Sequence, residues 1–256
     1  MIVLFYSHTG MHSFMTGMTI VCATNEGLYA RCRKYKPMLV KYTSKLTPSA
    51  TQDNAIASII QKEAELPLHD SIQMTSIAQG GGFFSYIAGT LLSLMQWDTQ
   101  YASLLQEHGL DIDNYHTTLP MQKGLSSSAA VCVLVATCFS TVHGLNISTA
   151  DLMEIAYRGE MLTPSQCGRM DQCVAMGENT IGLMTFTEGS TSLVPLSVKA
   201  PLYFVVADLK AQKDTVIILS SLNKCYPFPN NENEVKMNKY SFTKRPDCVL
   251  IVLLLF

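Results

Sequence analysis

The chain has 256 residues, 48% of them hydrophobic and 15% charged, with a formal net charge of −2. This length can bury a core as one large domain or two small ones, and the composition excludes a disordered, solvating polypeptide. The near-neutral charge and the lack of a basic helix argue against nucleic acid or a membrane surface as partner.

The opening "MIVLFYSHTG" is apolar but lacks the positive segment of a signal peptide and is too short to span a bilayer. His8 and His12 are four apart, yet no H-E-x-x-H glutamate accompanies them, so they do not indicate a metal site. "MTIVCATNEGLYARCRKY" reads as two short strands around a turn at Asn25 to Gly27. "ATQDNAIASIIQKEAEL" has helical apolar spacing through Ile56, Ile59, Ile60 and Ala64. Gly80, Gly81 and Gly82 precede an apolar helix in "FFSYIAGTLLSLMQW", with Asp98 beyond its end, and "GLDIDNYHTTLP" reads as a strand.

"AAVCVLVATCFSTVHG" is apolar on nearly all sides, which predicts a buried helix closed by Gly144, with His143 at an end where a cation suits the dipole. "ISTADLMEIAYRGE" restarts a helix capped by Ser148 or Thr149, with Asp151 and Glu154 in or near its first turn, and Pro164 breaks it. "GRMDQCVAMG" forms a third segment from near Gly168 to Gly177. "TIGLMTF", "TSLVPLSV" and "LYFVVADL" read as strands, and "TVIILSSLNKCY" as a helix. After Pro227 the chain turns polar and ends on "CVLIVLLLF", an unpartnered apolar terminus, so the natural frame is expected to continue past Phe256. Eight scattered cysteines without a secretory signal predict reduced thiols and a cytoplasmic protein, and Cys167 and Cys173 lack zinc-site spacing. The fourteen methionines read as core filler.

"LPMQKGLSSSAAV", Leu119 to Val131, is where chemistry concentrates. A glycine before a helix lets backbone approach a ligand, and the helix start offers unpaired N–H groups and partial positive charge. Serine hydroxyls there can cap the helix, donate to phosphate or ligate Mg²⁺. Gly124, Ser126, Ser127 and Ser128 therefore suit a polyphosphate, although the spacing is neither a P-loop nor a dinucleotide fingerprint. It is not a nucleophile elbow either, since Ser128 stands where the closing glycine would be. The plain alternative is a serine-capped helix.

"LPMQKGLSSSAA" resembles the phosphate-binding signature of the GHMP small-molecule kinases, in the triple-serine form of the galactokinase-like branch. "CGRMDQ", Cys167 to Gln172, resembles that branch's C-G-x-M-D-Q segment, and "FFSYIAG", Phe83 to Gly89, is similar to its N-Y-x-x-G helix start. The resemblance implies ATP- and Mg²⁺-dependent phosphorylation of a small-molecule hydroxyl, a sugar and its anomeric position above all. Gly124, Leu125, Ser126, Ser127, Ser128 and Ala129 would wrap the nucleotide phosphates, Ser128 and Glu160 would ligate Mg²⁺, and Asp171 would be the catalytic aspartate. Glu160 and Asp171 are eleven residues apart, about 16 Å on an unbroken helix, and the break at Pro164 and Gly168 lets the second fold back toward the first. Taken alone, Glu160 could be a solvated helix-end carboxylate and Asp171 a helix cap.

The resemblance has departures. Gln122 and Lys123 stand where the family has small residues, and "LFYSHTG" offers only Leu4, His8 and Thr9 in place of an R-x-x-L-x-G-E-H-x-D segment. The family's late glycine-rich motif is also missing, so the chain reads as atypical at its N-terminus and truncated at its C-terminus. The implied fold class is α+β, with an N-terminal domain over 1–195 like the second domain of ribosomal protein S5. An incomplete ferredoxin-like domain over 196–256 would follow. A silent nucleotide- or sugar-binding relative, or a fragment of such a kinase, is the alternative reading.

Overall fold

Alternating apolar and polar residues build two four-stranded sheets in the computed structural model. It describes residues 2–7, 17–46, 60–119, 121, 125–165, 167–177, 181–187, 190–197 and 199. The first sheet is antiparallel throughout, with strands β1 (Ile2–Ser7), β2 (Gly17–Cys22), β7 (Ile181–Thr187) and β8 (Ser190–Pro195) in that spatial order. The second has the order β3 (Leu28–Tyr35), β6 (Gly109–Thr117), β4 (Leu39–Leu46), β5 (Ile60–Pro67). Its β4–β6 pair is parallel, so the chain must cross over between them. The crossover carries β5, α1 (Ser71–Gln79), α2 (Phe83–Trp97) and α3 (Thr99–Glu107). After β6 come α4 (Ser127–Val142), α5 (Thr149–Met161) and a short 3₁₀ turn, Asp171–Met176.

The second sheet supplies one wall of the main core. Leu66, Val40 and Leu110 align across β5, β4 and β6, followed by the row Ala64, Tyr42 and Ile112. All of these but Ala64 are buried, and α2 and α4 cover them through Ile87, Leu91, Leu94, Val135 and Phe139. Each such side chain contributes about 1.5–3 kcal/mol on removal from water. The first sheet instead packs Val21 and Met184 against Met153 of α5 and Cys173 of the 3₁₀ turn. That turn is thereby held between the sheet and α5.

Two sequence expectations are corrected here. Residues 60–67 form a strand, not a helix: Glu63 and Glu65 are exposed while Leu66 is buried, a period of two. The spacing from Ile60 to Ala64 is four, an even number, so it satisfies a strand as well as a helix. β2 and β3 are both strands, but they belong to different sheets. Residues 25–27 form a crossing between them, pinned by Gly27 N donating to Thr118 Oγ1 at 2.9 Å and Thr118 N donating to Gly27 O at 3.0 Å.

The remaining local expectations are realised. Asp98 ends α2 and caps α3, accepting from Gln100 N at 2.8 Å. Ser148 caps α5 by accepting from Asp151 N at 3.1 Å. α4 closes as the glycine signal predicted: Gly144 has φ 64°, its N–H donates to Thr141 O, and Leu145 N donates to Ser140 O at 2.8 Å. His143 does sit at that end, but burial, then Lys34 and His108, push its pKa below the ordinary histidine value, so it is no helix-end cation. Strand "LYFVVADL", helix "TVIILSSLNKCY", His8 and His12 lie outside the described residues. Among the described residues no helix is long and apolar enough to cross a membrane.

Candidate active site

Three segments converge at the N-terminus of α4. Leu119 and Leu125 are buried together against Ala130, fixing both shoulders of the serine stretch. Ser126 follows in the left-handed region, φ 59° and ψ 36°, although it is not glycine. Such a residue costs on the order of 1–3 kcal/mol and persists where its surroundings hold it. Ser126 O accepts from Ala130 N at 3.0 Å, but the Ser126 side chain makes no capping hydrogen bond. The plain reading of a serine-capped helix therefore fails at the cap position. The start of a 16-residue helix, with its N–H groups and partial positive charge, remains available to an anion. The side chains of Leu125 and Ala129 are buried, so what they can offer a ligand is their backbone amides. Gly124, Gln122 and Lys123 lie outside the described residues.

The second segment is the end of α5. Gly159 meets α2 so closely that a Cβ there would stand 2.6 Å from Thr90 Cα, and a Cβ on Gly89 would run into the Gly159 carbonyl. Ser93 Oγ donates to Ile155 O at 2.9 Å across the same contact. This approach carries the next residue, Glu160, inward, where it is only 1% exposed. It is not the solvated helix-end carboxylate of the plain reading. The Ser128 hydroxyl lies close enough to its carboxylate to favour the charged form, which brings the two predicted Mg²⁺ ligands near each other.

The third segment is the turn that follows α5. Thr163 Oγ1 donates to Glu160 O at 2.7 Å, Ser165 N donates to Thr163 Oγ1 at 3.2 Å, and the Tyr86 hydroxyl shares a hydrogen bond with Ser165 Oγ at 2.7 Å. Arg169 pairs with Glu154 of α5 and lies 4.2 Å from the Tyr157 ring centre, which fastens residues 167–170 along α5. Asp171 then opens the 3₁₀ turn, whose cap position is Met170. Burial pushes the Glu160 carboxyl above the ordinary carboxylate range, and the Asp171 charge adds to it. The hydrogen bonds from Ser128, Cys167 and Gln172 act in the opposite direction. Past the break at Pro164 and Gly168, Asp171 comes near enough to Glu160 for its charge to act on that carboxyl.

Gln172 was not singled out in the sequence, although it closes the "CGRMDQ" segment. It is fully buried, donates from Nε2 to Glu160 Oε2 at 2.9 Å and to Cys167 Sγ at 3.2 Å, and its Oε1 has no protein partner. Burial pushes the Cys167 thiol well up, so it is inert as a nucleophile.

A hydroxyl near a buried carboxylate, with a second carboxylate close enough to be felt, offers hard oxygen donors of the kind Mg²⁺ takes. Among the described residues no three His, Cys, Asp or Glu side chains group as a metal cage. A cavity of about 350 Å³ opens beside the helix start, between Leu125, Ala130 and Val133 on one side and residues 23–29 on the other.

Residues 86–178 match the GHMP kinases N terminal domain. Two curated relatives are galactokinases. The one from Thermosipho africanus is 28% identical over 54% of this chain and 38% of its own length. The one from Clostridium beijerinckii is 30% identical over 31% and 22%. The chain thus matches less than half the length of these relatives. Among solved structures, Lactococcus lactis galactokinase complexed with galactose aligns with a TM-score of 0.53 at 20% identity, covering 77% of this chain and 46% of that one. Methanococcus jannaschii mevalonate kinase aligns with 0.55 at 12% identity, covering 93% and 67%. These likenesses establish the mixed α and β fold.

Proposed function

We propose that this GHMP-type chain serves ATP-dependent phosphorylation of a small-molecule hydroxyl, with a sugar as acceptor in the manner of a galactokinase. The observation that carries the reading is the buried Glu160 carboxylate of α5, held by Gln172 Nε2 at 2.9 Å beside Ser128 at the start of α4. The backbone amides of residues 125–129 hold the nucleotide phosphates, and Ser128 and Glu160 hold Mg²⁺. When bound, the ion neutralises charge on the phosphates. Asp171 orients the acceptor hydroxyl and takes its proton as its oxygen bonds to the γ-phosphorus and the bond to ADP breaks. The sugar is supported by the two galactokinase relatives, and the cavity beside Leu125 has the size of a small-molecule site. We assign residues up to 195 to an S5-like nucleotide domain, while the ferredoxin-like expectation for 196–256 falls almost wholly outside the described residues. A cytoplasmic setting is supported by Cys22, Cys32, Cys132, Cys138 and Cys167 standing as thiols among the described residues.

A silent nucleotide-binding relative is the second reading, favoured by the missing acidic segment in "LFYSHTG". The test is thermal stability and phosphoryl transfer with Mg·ATP and a panel of aldoses. The expected result is stabilisation by Mg·ATP and transfer to one sugar, with Asp171→Asn losing transfer about 100-fold or more while still binding nucleotide. Stabilisation without transfer selects the silent relative, and neither effect refutes both readings.

A further inference from the structure

We infer that Gln172 is a positioning residue that aims the Glu160 carboxylate at the metal, a role that rests on the kinase reading above. A buried carboxylate has two oxygens and free rotation about its last bond, so without a fixed donor its orientation is loose. Gln172 Nε2, at 2.9 Å, binds Oε2 and takes that oxygen as its anchor, leaving the remaining lone pairs for Ser128 and a cation. The amide cannot swing away: its side chain is fully buried, and the same Nε2 reaches Cys167 Sγ at 3.2 Å. Its backbone is fixed as the second residue of the 3₁₀ turn, directly after Asp171. One side chain therefore ties the metal-facing carboxylate to the segment bearing the catalytic aspartate. Its other end, Oε1, is buried without a protein partner beside this site, an acceptor suited to water on the cation. A purely structural glutamine at this position would be expected to spend both ends of its amide on protein groups.

The test uses the full chain, Mn²⁺ as a spectroscopic stand-in for Mg²⁺, and a non-hydrolysable ATP analogue. Mn²⁺ binding is read by electron paramagnetic resonance, and analogue affinity is measured with and without metal. Gln172→Met keeps the length and removes the donor. It is expected to raise the Mn²⁺ requirement about tenfold or more while leaving metal-free analogue affinity unchanged. Gln172→Asn, whose amide falls short, should do the same and substitutes for the methionine variant if that one does not fold. Ser165→Ala breaks the neighbouring Tyr86 hydrogen bond and is expected to lower the melting temperature without moving the Mn²⁺ requirement. An unchanged Mn²⁺ requirement in the Gln172 variants, or an equal shift in Ser165→Ala, overturns the positioning role and leaves the kinase reading standing. Failure of the unaltered chain to bind Mn²⁺ with the analogue overturns the kinase reading, and the positioning role with it.

Discussion

At its C-terminal end α4 closes on Gly144 in the left-handed region, with two hydrogen bonds returning to the last turn. At its N-terminal end Ser126 occupies the same region without a side-chain cap. Glycine takes that backbone freely, whereas an L-residue is strained there by roughly 1–2 kcal/mol. One helix thus carries a relaxed, satisfied end and a strained end that has no side-chain cap from Ser126. The satisfied end is built for stability, and the strained end lies where the three predicted site residues meet.

The largest expected effect comes from spoiling the contact that brings α5 to the strained end. Gly159→Ala would place a Cβ 2.6 Å from Thr90 Cα and should lower stability by about 3 kcal/mol, measured by urea unfolding. Tolerance of alanine there would mean that the close approach does not hold Glu160 in place. Next, Gly144→Ala should cost about 1–2 kcal/mol at the relaxed end, since alanine must adopt a positive φ. Ser126→Gly should do the reverse and raise stability by less than about 1 kcal/mol, because the strain relieved exceeds by only a little the extra conformational entropy that glycine loses on folding. Equal effects of one sign at both ends would erase the contrast.

The smallest effect is a slope with pH. Glu160 has a folded pKa above its unfolded one, because burial disfavours its charge. The folded chain therefore keeps a proton that the unfolded chain releases, and stability falls as pH rises from the ordinary carboxylate range through the raised folded value. Metal-free melting scans should show that loss, and Glu160→Gln should remove it. An unchanged slope in the variant would place the titrating group elsewhere.

Much of α4 was legible because its signals are local: an unbroken apolar run, a glycine after it and serines before it. The same holds for the Ser148 cap and for Asp98. The burial of Glu160 was not legible, because it depends on Gly89 meeting Gly159, seventy residues apart in the chain. Only the folded arrangement shows that these glycines face each other. The role of Gln172 was hidden for the same reason, since its partner lies on another element. The β2–β3 crossing was misread as a simple turn because a glycine between two strands looks alike whether the strands pair or part. Motifs therefore announced which residues matter, while the tertiary contacts decide what surrounds them.

The meeting of Gly89 and Gly159 acts as a mechanical stop. Where helices touch through side chains, a rotamer change can absorb a small displacement. Where they touch backbone to backbone there is no such slack. The depth at which Glu160 enters the site is therefore gauged by peptide atoms, and a substitution elsewhere in the core has little means of retuning it.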